Sequence, residues 1–386
     1  MNRKNRFGAV AVFAAVLALV LSACTTTDSS SGGDSGGAGL PADQLAQLQS
    51  LVDKASEVPT FVAPGPAFDI SKAKGKRIFV IPTASQLPVC DQIGKDMVTL
   101  ANKVGMSGTY FQNSGGPSGW IPGMQQAISQ HYDAIVLICG IDPNLIKPQV
   151  QAATAAGIAV IDSGLGDTED GAKSDPLVTA QTNIPNAESI RRSIDVAILE
   201  HKGNPFDVFE ITSNEVPAGV VMDKALREEL GKYCPDCKVK SVNIAVPDWA
   251  TKVQSAVSSA ILADPKIKAV VPIFDGEVPP ASAAVKASGR GDVKLYGCYG
   301  GTPEYIAQMG GGIPMDSNVG PTHLWRAYAT MDQTLRVLSG AGAVPADKDQ
   351  DPSRLWTTKN YQEAAAVNGG FGTEFPSGYE KLWGLS

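Results

Sequence analysis

Hydrophobic residues along the chain fall into short apolar runs, separated by longer stretches in which they recur every three or four positions. Arg77-Ile-Phe-Val-Ile-Pro82 is one such run, bounded by turn residues, and it predicts a buried strand. Gly108–Phe111, Asp133–Ile138 and Ile158–Asp162 repeat the signal. Between them, Val89–Lys103, Trp120–Gln130 and Asn144–Ala156 carry helical spacing, and Gly157 ends the last. The alternation then restarts. Strands are predicted at Val178–Thr182, Phe206–Thr212, Val239–Val246, Ile267–Phe274 and Asp292–Cys298. Helices are predicted at Ala187–His201, Gly219–Lys232, Ala250–Ala263 and Ala281–Ala287. Alternation of this kind predicts βαβ units with parallel sheets. Continuously apolar strands predict sheets covered on both faces. The restart favours two similar α/β lobes over one long sheet, with a cleft at the carboxyl ends of the strands.

The beginning of the chain follows other rules. Pro41–Val58 has a helical period through Leu45, Leu48, Leu51, Val52 and Ala55. Pro59–Ala73, with Pro64-Gly65-Pro66, reads as an extended connector. Upstream, Arg3, Lys4 and Arg6 precede an uncharged apolar run from Phe7 to Leu21, short for a membrane span of ~20 residues. The run ends in Leu21-Ser22-Ala23-Cys24. Small residues before a cysteine at this point resemble a bacterial lipobox, which implies cleavage of residues 1–23 and a lipid on Cys24. Residues 24–39 are nearly all Thr, Ser, Gly and Asp and predict a flexible tether.

Charge and composition narrow the function. The net charge of −7 becomes −10 when the three basic residues of the signal leave, so no nucleic-acid partner is expected. The three histidines, His131, His201 and His323, are not spaced as metal ligands. No Gly-x-Ser-x-Gly elbow and no phosphate loop with a lysine occurs. Glu228-Glu229 reads as a solvated helix face. An enzyme is therefore not expected, nor a cofactor or metal. Export permits disulfides. Cys234-Pro-Asp-Cys237 is the nearest cysteine pair and is read as a local structural disulfide, with a redox pair as the alternative. Cys90 and Cys139 follow strands expected to be neighbours, which makes them a second candidate pair. Five cysteines follow Cys24, so at least one is left over.

Four stretches, in order, resemble the type I periplasmic solute-binding family, the ribose- and galactose-binding group. They are Ala155-Ala-Gly-Ile-Ala-Val-Ile-Asp162, Pro247-Asp-Trp249 with Asp264-Pro265, Ala269-Val-Val-Pro-Ile-Phe-Asp275, and Tyr296-Gly-Cys-Tyr-Gly-Gly-Thr-Pro-Glu304. The resemblance runs from about Gly75 to the C-terminus. It implies two Rossmann-like lobes joined by a three-strand hinge. By similarity, residues 40–74 form an N-terminal helix and connector, 75–178 plus 313–343 lobe one, and 179–312 plus 344–386 lobe two.

The resemblance also implies a set of ligand-contacting positions. Asp162 matches the family carboxylate, whereas Ser163 stands where an arginine is usual. A second arginine position is matched by Met222 or Asp223. Trp249 keeps the aromatic that stacks on a sugar face. Phe274, beside Asp275, replaces an asparagine, and Tyr299 replaces an aspartate. In the first loop Val89 and Cys90 replace paired aromatics, and Gln86 and Asn318 complete the expected set. The loss of two bidentate guanidinium anchors and the gain of aromatics predict a ligand less hydroxyl-rich than a hexose, or one with a flat face. The implied function is capture of a small solute for an ABC permease and its ATPase, by a monomer held by lipid on the extracytoplasmic side. A sensing lipoprotein serving a membrane receptor, or a binder of aromatic or purine-like solutes, is the alternative.

Overall fold

The computed structural model describes residues 39–169, 173–345, 348 and 351–385. Cys24 and the signal segment lie outside the described residues, as does nearly all of the tether. Helix α1 (Ala42–Ser56) comes first and an extended connector follows it. The first lobe is built from β1 (Arg77–Pro82), α2 (Pro88–Lys103), β2 (Ser107–Tyr110), α3 (Gly116–Ser129), β3 (Ala134–Ile138), α4 (Lys147–Ala155), β4 (Ala159–Asp167) and β5 (Ala180–Ile184). The second contains α5 (Asn186–Glu200), β6 (Asp207–Thr212), α6 (Pro217–Tyr233), β7 (Lys238–Asn243), α7 (Trp249–Ala263), β8 (Ile267–Pro272), α8 (Val278–Ser288), β9 (Lys294–Cys298), α9 (Pro303–Ile306) and β10 (Met315–Gly320). The chain ends with α10 (His323–Ser339), β11 (Arg354–Thr357), α11 (Val367–Gly370) and α12 (Glu374–Leu382).

The strands form a five-stranded sheet in the order β2-β1-β3-β4-β5 and a six-stranded sheet in the order β11-β10-β9-β8-β6-β7. All pairs are parallel except β10 with β11. Apolar runs suit this because helices cover both faces. Along β1, Ile78 and Val80 join the core that includes Ile93 and Met97 of α2. Phe79 and Ile81 join the opposite core, with Trp120 and Met124 of α3. Proline stands in the first turn of α2, α3, α6 and α8. Its missing N–H is unpaired there in any case, and its fixed φ starts the helix directly after the strand.

Sheet membership moves two of the expected lobe boundaries. Residues 179–184 were expected in lobe two, but β5 pairs with β4 in the first sheet. Residues 313–320 were expected in lobe one, but β10 pairs with β9 and β11 in the second. In both places the chain completes the ladder of the sheet it is leaving before it crosses. The crossings therefore fall at Pro185, at Pro321-Thr322, and between α10 and β11.

The two ends of the chain add further connections between the lobes. Helix α1 packs on α5 and β11, while the connector after it reaches α10 and α12. The C-terminal helix α12 lies on α10 of the first lobe rather than on the second. Tyr328 stacks on Trp383 at 5.5 Å, Trp325 on Phe375 at 4.4 Å, and Phe61 meets Tyr379 edge-on at 5.0 Å. Trp383 Nε1 donates to the buried carboxylate of Asp332 at 2.8 Å. Between α5 and α6, Glu229 is buried and paired with Arg192 at 3.3 Å, so only Glu228 of that acidic pair is solvated.

Disulfides join Cys90 to Cys139 and Cys234 to Cys237, with Cα separations of 5.9 and 5.3 Å. Cys298 is free and buried. Among the described residues no helix is long and apolar enough to cross a membrane, and no side-chain cluster could hold a metal ion.

Trp383→Ala empties a fully packed ring site and strips Asp332 of a donor. A loss of about 3–5 kcal/mol is expected in urea unfolding. A change under 1 kcal/mol would show that α12 does not brace the lobe.

Candidate ligand-binding cleft

The carboxyl ends of both sheets face each other across a narrow cleft. The first lobe supplies Thr83, Leu87, Val89 and the Cys90–Cys139 disulfide. The second supplies Val216, Val246, Trp249, Phe274 and Tyr299, with Thr302 and Tyr305 at one side. The cavity between them is about 30 Å³, room for about two water molecules. The lobes touch across it. A Cβ on Gly276 of the second lobe would stand 2.9 Å from Leu87, and one on Gly140 of the first would stand 3.3 Å from the Tyr299 hydroxyl. A solute the size of a sugar enters only when the lobes part.

Trp249 opens α7. Its Nε1 donates to Ser213 Oγ at 2.8 Å and to the Ile244 carbonyl at 3.0 Å. The ring stacks on Phe274 at 5.5 Å with planes 20° apart, and Phe274 meets Tyr299 edge-on at 5.2 Å. Gly276 permits this arrangement, because a Cβ there would lie 2.6 Å from the indole. The aromatics thus form one continuous wall, already bonded in place by their own lobe.

Other expected positions play different parts. Asp275 borders the cavity, but its carboxylate is fully engaged. One oxygen accepts from Thr302 N and the other from Asn318 Nδ2, both at 2.7 Å. Asp275 and Asn318 therefore brace the turn that carries Tyr299, and Asn318 stands behind the wall. Ser163 faces α10, its hydroxyl accepting from Thr330 at 2.8 Å. Met222 is core, its sulfur 3.5 Å from that of Cys298. Gln86 is exposed on the rim, where Nε2 donates to the Ser114 carbonyl at 3.0 Å. Asp162 is fully buried and neither of its oxygens has a hydrogen-bond partner. Burial pushes its pKa well above the usual carboxylate range, against the pull of Arg326.

Sequence reasoning passed over Leu87, Val216 and Val246. Each is an apolar residue directly before a proline that starts a helical turn after a strand, and that repeated pattern was a readable signal. It also passed over Arg326, which no pattern marks.

With this geometry in view, the comparisons are specific. The family model for a periplasmic binding protein domain matches residues 78–342. The chain belongs to that family. Solved structures of similar periplasmic binding proteins agree in fold. A sugar ABC transporter protein from Yersinia enterocolitica matches with a TM-score of 0.67 and 19% identity, covering 84% of this chain and 99% of that one. A solute-binding protein from Mycobacterium smegmatis with bound glycerol gives 0.65 and 16%, covering 78% and 98%. One from Agrobacterium vitis with bound allitol gives 0.65 and 19%, covering 75% and 98%. Comparison with curated proteins finds none that matches. This periplasmic binding protein keeps the two-lobe type I fold, and aromatic and aliphatic side chains make up most of the lining of its cleft. The family is one of extracytoplasmic solute-binding proteins, not of enzymes.

One titration is testable here. Asp351 lies in the crossing after α10, fully buried, 3.7 Å from Arg326 and accepting from Thr182. Burial raises its carboxyl from 3.8 to about 6. The folded protein then holds a proton that the unfolded chain has released, so stability present below about pH 4 is lost as pH rises through 6. Asp351→Asn is expected to remove this part of the fall, so that its Tm relative to the parent rises between pH 4 and pH 7. A difference independent of pH across this window would contradict the assignment.

Proposed function

We propose that this chain is the solute-binding component of an ABC importer, taking a small cyclic sugar- or polyol-class solute between its lobes. The observation that carries the reading is the closed interlobe cleft, lined by Trp249, Phe274 and Tyr299, whose buried hydroxyl has no hydrogen-bond partner. Asp162, also buried and unpaired, lies outside the cavity lining. A flat apolar ring face suits Trp249 and Phe274, and hydroxyls suit the unpaired groups. Glycerol and allitol, bound in two structural neighbours, are open-chain polyols and support the polyol part of this class, not the ring. The apolar balance of the wall favours a ring less hydroxyl-rich than a hexose, such as a pentose. Opening exposes the cleft, the solute bridges both lobes, and closure follows from its higher affinity for the closed form. The closed monomer then meets a permease whose ATPase drives transport. Lipid at Cys24 and the tether keep the protein at the membrane surface on the extracytoplasmic side.

A thermal-shift screen of Gly37–Ser386, which forms one compact unit, tests the ligand class. The panel holds pentoses, deoxy sugars, polyols, purines and small aromatic compounds. A ligand at 1,000 times its Kd stabilises by ~4 kcal/mol, a shift of several degrees. Hits among sugars or polyols are expected. Hits confined to purines or aromatics would leave the fold reading intact and overturn the ligand class.

A further inference from the structure

Neither arginine position usual in the family is filled here, since Ser163 and Met222 stand in place of the guanidinium groups. The structure brings a guanidinium to the backbone of Ser163 from a different element. Arg326 sits in the first turn of α10 and is 1% exposed. Its Nη2 donates to the Ser163 carbonyl at 3.1 Å, and its Nη1 lies 3.8 Å from the sulfur of Cys139, which lines the cavity. Its Nε makes no hydrogen bond. Five N–H donors are therefore served by a single oxygen at hydrogen-bond distance. Strand β4 is shaped to admit the group. Its register breaks between Asp162 and Gly166. Gly164, at φ +75°, has no Cβ, and one there would stand 2.3 Å from Nη2.

Beside Arg326 the Asp162 carboxylate is buried with both oxygens unpaired. In front of the pair stands Tyr299, which comes from the other lobe. Its ring centroid is 5.6 Å from the guanidinium carbon. Its buried hydroxyl lies near the guanidinium without the geometry of a hydrogen bond. Its backbone has φ +51°, uncommon for a bulky residue. A donor, an acceptor and a hydroxyl thus meet at one place, all buried. Asp351 stands 3.7 Å from Nε as an ion pair, while Asp162 and the Tyr299 hydroxyl have no hydrogen-bond partner. Such groups are costly to leave unpaired, and each complements a hydroxyl.

We propose that Arg326 is the ligand-anchoring arginine of this cleft, acting with Asp162 on neighbouring hydroxyls of the solute, while Tyr299 covers the pair in the empty closed form and leaves with its lobe on opening. The assignment rests on the sugar- or polyol-class reading above. It moves the guanidinium anchor from the strand end to the helix that follows the second crossing. It also explains how a site with Ser163 and Met222 retains a strong polar contact.

The test is calorimetric titration of the full chain with D-ribose, L-arabinose and allitol, and with 2-deoxy-D-ribose as the analogue lacking a hydroxyl. The unmodified chain is expected to bind at least one of the hydroxylated probes. Arg326→Met and Asp162→Asn are each expected to weaken that binding about tenfold or more, and to narrow any preference for D-ribose over its deoxy analogue. Asp162→Asn is nearly isosteric and guards against a mere folding defect in Arg326→Met, with circular dichroism as the check on both. If folded variants bind as tightly as the parent with the preference unchanged, the assignment fails while the ligand class stands. If the unmodified chain binds none of the probes, the ligand class fails and takes the assignment with it.

Discussion

A buried guanidinium must be answered by buried acceptors, and around Arg326 much of the central geometry follows from that requirement. A charge removed from water is tolerable only when it is paired and hydrogen-bonded. The Ser163 carbonyl accepts from it at 3.1 Å, Asp351 stands 3.7 Å away in the crossing after α10, and Asp162 of β4 feels its charge with neither oxygen bonded. To deliver that carbonyl, β4 gives up its regular register and places a glycine where any side chain would strike the guanidinium. The same group lies behind the Cys90–Cys139 disulfide and beneath Tyr299, so it touches both lobes and a segment that joins them. Electrostatics at this point links the crossings to the floor of the cleft.

Packing around this centre separates rigid walls from the parts that must move. Trp249 and Phe274 are bonded and stacked entirely within the second lobe, and Asp275 with Asn318 holds the turn that carries Tyr299. On the first lobe, the disulfide ties the start of α2 to the end of β3. Both walls are therefore preformed, which lowers the ordering cost of binding. Contacts between the walls are few and of van der Waals type, such as Leu87 against Gly276. The connector after α1 and the segment leading to α12 also pass from one lobe to the other, away from the cleft. Closure then depends on crossings that include a buried ion pair and on straps at both chain ends.

The fold was largely legible because its strands are buried on both faces and read as short apolar runs. Arg77–Pro82 was read with its observed bounds, and the restart announced a second lobe, although its first strand, Val178–Thr182, falls on β5 of the first sheet. Helix α10 was not read, although its apolar residues recur at helical spacing; what its sequence hides is the depth of its burial. Nearly all of it is enclosed, including Arg326, Asp332, Gln333 and Arg336. Its polar residues pair inside the protein, Arg336 with Asp332 and Asp332 with Trp383, instead of marking a solvent face. Glu229 misled for the same reason, since its partner Arg192 comes from another helix. In the site, Trp249, Phe274 and Tyr299 were expected by resemblance, and the three rings do pack together along the cavity. Whether a carboxylate faces ligand or structure was not visible. Asp275 and Asp162 look alike in sequence, yet one is fully bonded and the other has no partner.

The central claim is that the two lobes part and close on a solute. Spin labels on Leu145→Cys and Val220→Cys, exposed positions on opposite sides of the cleft, report it directly by pulsed electron resonance. In the empty protein the interlobe distance should be broad and reach longer values. A saturating solute from the screen should collapse it to a single short distance. A distribution unchanged by a solute that demonstrably binds would contradict the account, placing the site outside the cleft or the lobes in one fixed arrangement.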